Sequence, residues 1–143
     1  MRKMLLLDTN VWVAIALDTN SNHPAAKQWF DGLTNELCHF SRLTQQGFLR
    51  LATNQKAAGA AVLTLDEAWV KYDTFLSDQR IGFVAEPPGI ETQWRAYTKG
   101  QTFSTHVWND AYLAAFALLA GMEVITFDRG FTRYTHTHCT IMP

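Results

Sequence analysis

Three aspartates stand where this chain could do metal chemistry. Asp8 closes the apolar run Met4-Leu5-Leu6-Leu7, and Asp128 follows Glu123-Val124-Ile125-Thr126-Phe127. Short apolar runs read as buried strands, and in a parallel sheet chemistry gathers just beyond the carboxyl ends of the strands. Asp110 lies in the first turn of an apolar helix, Val107 to Ala120, which runs into the strand that carries Asp128. The amino end of that helix therefore falls at the same sheet edge as Asp8 and Asp128. Taken singly, Asp8 reads as a helix cap and Asp110 as a favourable charge at a helix amino end. Taken together, three carboxylates repel one another unless a divalent cation holds them. Oxygen-only ligands favour Mg²⁺ or Mn²⁺ over zinc. An ion so held activates water and stabilises charge on a phosphate.

The elements that must position these residues alternate along the chain. Thr9 or Asn10 caps a helix over Val11 to Leu17, and Asp18 to Asn22 is a polar turn before Pro24 opens the next helix. Ala26, Trp29, Phe30 and Leu33 have the spacing of a buried helical face. Leu37 to Phe40 is a strand, Gln45 to Asn54 a helix, and Asn54 to Gly59 a loop. Thr64 and Glu67 fit a capping box; the helix they open places Leu65, Ala68, Trp69, Tyr72, Phe75 and Leu76 on one face. Gly82 to Ala85 is a strand, and Ile90 to Lys99 a helix with Ile90, Trp94 and Tyr97 aligned. Ser104 or Thr105 caps the apolar helix and Gly121 ends it. Cys139 to Met142 is the last strand. This alternation predicts an α/β chain: a central, mostly parallel sheet of about five short strands with helices on both faces, in one domain over residues 1–143.

Composition narrows the function classes. A chain of 143 residues that is 48% hydrophobic can bury a core and is not of the disordered class. Its formal net charge is −1, so any contact with nucleic acid rests on a local basic surface. No apolar run approaches the roughly 20 residues that span a bilayer. The basic start Met1-Arg2-Lys3 is followed by an apolar stretch that breaks at Asp8, too short for a signal peptide. These features predict a cytoplasmic chain with Cys38 and Cys139 reduced and buried; a disulfide between them is the other reading.

Three stretches, in order, carry a resemblance. Leu5-Leu6-Leu7-Asp8-Thr9-Asn10, Asn109-Asp110-Ala111-Tyr112-Leu113-Ala114 and Ile125-Thr126-Phe127-Asp128-Arg129-Gly130-Phe131 resemble the three acidic motifs of PIN-domain nucleases. Over essentially its full length the chain resembles the VapC ribonuclease toxins of bacterial toxin–antitoxin pairs. The resemblance implies an α/β/α sandwich and an Mg²⁺-dependent endoribonuclease acting on RNA. It also implies a homodimer held inactive by an antitoxin protein. By motif, Asp8, Asp110 and Asp128 take the catalytic and metal-binding positions. PIN domains usually carry a further Glu in the helix after the second strand; here that position is Gly47, with Gln46 beside it. The stretch Leu43 to Leu51 resembles a VapC subgroup that lacks this Glu. One carboxylate fewer implies that a second metal is held weakly or only with the RNA phosphate.

Thr9, Asn10 and Thr126 can hydrogen-bond the carboxylates or the water around an ion, or serve simply as caps and turns. Arg129, adjoining Asp128, is the expected phosphate contact, whereas Arg50 and Arg133 read as solvated surface residues. His106 precedes Asp110 by four residues, a spacing that could share a metal, but it too reads as solvated. Two other readings stand beside the nuclease. One is a phosphatase-like α/β hydrolase with Asp8 as nucleophile, disfavoured by Asn10 where that pattern places a second Asp. The other is an inactive RNA- or protein-binding module. Metal-dependent RNA cleavage separates the three.

Overall fold

The computed structural model describes residues 2–143; Met1 lies outside them. Its strands are β1 (Lys3–Leu7), β2 (Glu36–Phe40), β3 (Ile81–Phe83), β4 (Glu123–Thr126) and β5 (Cys139–Ile141), side by side in the order β3-β2-β1-β4-β5. Every pairing is parallel, and central β1 sets Leu5 opposite Cys38 on one side and Glu123 on the other. A strand flanked on both sides and covered on both faces must be apolar throughout, which is why Leu5, Leu6 and Leu7 run unbroken. Alternation then sends Leu5 and Leu7 into one core and Leu6 into the other.

The first core lies under α1 (Thr9–Ala16), α2 (His23–Asp31), α3 (Arg42–Ala52), α4 (Gln55–Ala58) and α5 (Leu65–Ser77). It is aromatic: Trp12 stacks on Phe40 with ring centroids 3.8 Å apart, and Phe48, Tyr72 and Phe75 meet Phe40 edge-on or tilted. The second core lies under α6 (Ile90–Thr98) and α7 (Val107–Ala120). There the buried alanines Ala111, Ala114 and Ala117 leave room for Phe116, Phe131 and Tyr134. The result is the expected α/β/α sandwich with a parallel sheet of five short strands.

Several local expectations need correction. Helix α3 begins earlier than its apolar pattern suggests, because Ser41 and Thr44 exchange capping bonds of 3.2 and 2.9 Å. Asn54 to Gly59 is not a loop: the Asn54 side chain accepts from the Lys56 amide at 2.9 Å and starts α4. In α5 the capping box of Thr64 and Glu67 is present, but only part of the expected face is covered. Ala68 and Tyr72 are buried, whereas Leu65 and Trp69 are 71% and 50% exposed. Neither Ser104 nor Thr105 caps α7; His106 holds the cap position without a side-chain bond. Gly121 does end α7, with φ of 68°. Both cysteines are free thiols, Cys38 buried and Cys139 partly so. Among the described residues, no helix is long and apolar enough to cross a membrane.

Candidate active site

The carboxyl end of β1 delivers Asp8. Its amide donates to the Ile125 carbonyl at 2.9 Å, which ties the strand end to β4. Its backbone is extended, so its side chain caps α1: one carboxylate oxygen accepts from the Thr9 amide at 2.8 Å. The other accepts from the Thr126 hydroxyl, also at 2.8 Å. Thr126 is wholly buried at the end of β4 and joins two acidic residues, since its oxygen also accepts from the Asp128 amide at 3.0 Å. Asn10 braces the same corner, with its amide side chain 3.4 Å from both the Thr126 hydroxyl and the Phe127 amide. Asp128 caps the short 3₁₀ turn Arg129–Arg133 by accepting from the Gly130 amide at 2.8 Å. Asp110 sits in the first turn of α7, its amide bonded to the His106 carbonyl at 2.9 Å.

These elements surround one cavity of about 480 Å³, and Asp8, Asp110 and Asp128 all line it. Thr9 and Asn10 share its wall with Gly47, Arg50, His106 and Asn109. Thr126 lies buried behind Asp8. Arg129 is exposed and is not among the lining residues.

Electrostatically the cavity is unsettled. Burial pushes the Asp8 carboxyl above its usual range, against the pull of its bonds from Thr126 and Thr9; Asp128 adds to the rise and His106 opposes it. Asp110 is pushed up to about 7, first by burial, then by the charge of Asp8 and by a hydrogen bond and charge shared with Asp128; Arg133 opposes this. Among the described residues, no lysine or arginine forms an ion pair with any of the three. The donors are all oxygens, so the set fits a hard divalent cation. It is not a finished cage: among the described residues, no three His, Cys, Asp or Glu side chains are already gathered as ligands. Asp8 and Asp128 each have an oxygen engaged by a backbone amide, with lone pairs left over.

Gly47 does face the cavity, and the reason it is glycine is local. A Cβ there would lie 2.6 Å from the Thr9 hydroxyl oxygen and 2.9 Å from its methyl carbon. Thr9 thus fills the space into which a longer residue at 47 would project, while its backbone N–H serves Asp8.

Arg50, His106 and Arg133 are exposed, as expected, yet Arg50 and His106 also line the cavity and the charge of Arg133 bears on Asp110. Arg50 lies three residues beyond Gly47 and so on the same face of α3; His106 lies one turn before Asp110. Both spacings were visible. Arg133 was not legible, because its reach to Asp110 depends on a fold-back in which its Nε donates to the Gly130 carbonyl at 2.7 Å.

The PIN domain family model matches residues 5–136. Ribonuclease VapC41 of Mycobacterium tuberculosis is 48% identical over 136 residues, which cover 92% of this chain and 93% of that protein. Two solved structures share the fold. VapC20 of M. tuberculosis, a sarcin–ricin loop cleaving toxin, has a TM-score of 0.69 at 17% identity, over 97% of this chain and 99% of that one. VapBC2 of Rickettsia felis, bound to a DNA fragment from its promoter, has a TM-score of 0.68 at 16% identity, over 98% of this chain and 99% of that one. The family model spans nearly the whole chain and so does the VapC41 match: this chain belongs to the PIN-domain family and, within it, to the VapC proteins.

Proposed function

We propose that this chain is an Mg²⁺-dependent endoribonuclease, the toxin of a VapBC-type pair. It acts as a single cytoplasmic domain over residues 1–143, as a homodimer restrained by a cognate antitoxin. The observation that carries the reading is the cavity lined by Asp8, Asp110 and Asp128, on a chain 48% identical to a ribonuclease. The antitoxin partner is supported by the VapBC2 neighbour.

Asp8, Asp110 and Asp128 would hold the ion, with Mn²⁺ a substitute; when bound it supplies positive charge beside the scissile phosphate and acidifies water. The chain does the rest. Thr126 and Thr9 fix both oxygens of Asp8, so this carboxylate does not swing during a turnover. Without the ion, Asp110 keeps its proton up to about pH 7, so cation binding would displace that proton and tighten as pH rises. Arg50 and His106 on the cavity wall are placed to meet phosphate oxygens. Leu43, Leu51 and Leu113 exclude water from the other walls. Arg129, exposed beyond the cavity, serves as an outer contact to the RNA backbone.

The test is cleavage of RNA by the purified, antitoxin-free chain in Mg²⁺, in EDTA, and with Asp8→Asn. Cleavage is expected only for the wild type in Mg²⁺. Undiminished cleavage in EDTA would remove the metal, and a folded wild type that cuts nothing would favour the inactive binding module.

A further inference from the structure

Beside the carboxylate cavity lie two further hollows, linked to it in series by shared wall residues. Leu43 and Asn109 line both the acidic cavity and a neighbouring hollow of about 310 Å³. Trp94 joins that hollow to a third of about 460 Å³, which Trp94 and Trp108 line together with Glu91 and Arg95. Trp108 stands two residues before Asp110 in α7, roughly 200° around the helix from it, so the link between them runs through the wall residues Asn109 and Trp94.

Trp108 is 57% exposed, an unusual place for so large an apolar side chain. It is nonetheless part of an ordered pair. The Trp94 indole N–H donates to the Trp108 carbonyl at 3.0 Å, and the two rings meet edge to face, centroids 6.0 Å apart and planes at 85°. Tyr112 braces Trp94 edge-on at 5.3 Å. Rings already positioned lose little freedom when a flat ligand arrives. At the rim, Arg95 donates to Glu91 at 3.0 Å, offering donors and an acceptor without net charge. Glu86, between this hollow and the acidic cavity, is engaged by the Tyr112 hydroxyl at 2.5 Å. A balanced rim does little for a phosphate, but an aromatic face with hydrogen-bonding groups around it suits a nucleobase.

We propose that, given a ribonuclease centre at Asp8, Asp110 and Asp128, the Trp94–Trp108 cavity holds an unpaired nucleobase neighbouring the scissile phosphate and so selects which single-stranded RNA sites are cut. Single-stranded RNA is the occupant because shared wall residues, Leu43, Asn109 and Trp94, link this hollow stepwise to the acidic cavity, and unpaired bases are free to splay onto aromatic rings.

The test uses the full chain with a labelled single-stranded oligoribonucleotide and matched versions carrying one abasic ribose at successive positions. Affinity is read in EDTA and cleavage in Mg²⁺. Trp108→Ala is expected to weaken binding of the intact oligomer roughly tenfold, with most of the loss recovered in Trp108→Phe. One abasic position should weaken the wild type to the same degree, and Trp108→Ala should add nothing to that loss. Arg95→Gln, a surface change, should alter which base is preferred there. Wild-type affinity in Trp108→Ala, or a Trp108→Ala loss undiminished on every abasic oligomer, overturns the subsite. So does a change in oligomeric mass with Trp108→Ala, which would make this face a protein interface. A wild type that binds in a base-dependent way but cuts nothing in Mg²⁺ removes the ribonuclease reading and leaves the subsite; one that cuts with affinity indifferent to Trp108 does the reverse.

Discussion

At the amino ends of the strands, Lys3 on β1 reaches Glu123 on β4 at 3.1 Å, and Arg2, His136 and His138 line the same cavity of about 630 Å³. At the carboxyl ends, the cavity is smaller, about 480 Å³, and its three carboxylates have no lysine or arginine ion-paired to them among the described residues. Size and charge point to opposite edges of the sheet. The larger hollow holds one carboxylate, Glu123, already ion-paired to Lys3. The smaller one holds charge that the fold has brought together without neutralising it, and that kind of tension marks a functional centre.

The largest effect that separates the two edges is catalytic. Asp110→Asn should lower RNA cleavage by roughly 100- to 1000-fold, whereas Glu123→Gln at the opposite edge should leave it within about twofold. Steady-state cleavage of one RNA by both variants measures this, and similar losses in the two would dissolve the contrast.

The next effect is on stability. Asp110 holds its proton more tightly in the folded chain, with a pKa of about 7 against 3.8 unperturbed. A raised carboxyl pKa means that the folded state binds more protons than the unfolded one between those values, so stability is full below about pH 4 and falls as pH rises through about 7. Asp8 is shifted in the same direction. In EDTA at pH 8, Asp110→Asn should therefore melt higher than wild type. Discounted for partial exposure, the gain is about 1–2 kcal/mol, or about 3–6 °C. Mg²⁺ should raise the wild type and leave the variant nearly unmoved. Identical melting curves for the two proteins across pH 4–8 would mean that the carboxylates do not strain the fold.

The smallest effect concerns how closely α3 approaches α1 at the acidic edge. Alanine in place of glycine favours a helix by about 1 kcal/mol, but the added Cβ at Gly47 would stand 2.6 Å from Thr9. A short, branched side chain cannot simply swing clear, so Gly47→Ala should lose about 1 kcal/mol net in chemical denaturation. Thr9→Ala removes the two nearest atoms and leaves a contact of 3.3 Å, so the double variant should recover the loss. A Gly47→Ala chain more stable than wild type would show that this contact relaxes freely. Glutamate at 47 meets the same obstruction; it can add a ligand only if Thr9 gives way.

Much of this molecule follows from local pattern. Unbroken apolar runs at Leu5 to Leu7 and Val124 to Ile125 require strands covered on both faces, and alternating helices require a parallel sheet. Parallel strands all end at one edge, so Asp8 and Asp128 meet there; a helix leading into β4 must start there, which brings Asp110. The Thr64 capping box and the Gly121 stop were legible because they depend on atoms only a few residues apart. What only the tertiary structure decided depends on distances between elements that no periodicity encodes. Trp69 has core spacing but lies half exposed, because among the described residues no element closes over that side of α5. Arg50 and His106 enter the cavity, and Arg129 stays outside it, through the placing of α3, of the turn before α7 and of the turn after β4. The rise of Asp110 to about 7 arises from burial beside two other carboxylates, and Gly47 is read correctly only with Thr9 in view. Pattern along a chain specifies which face each residue takes; how near two faces come is set by the packing between them.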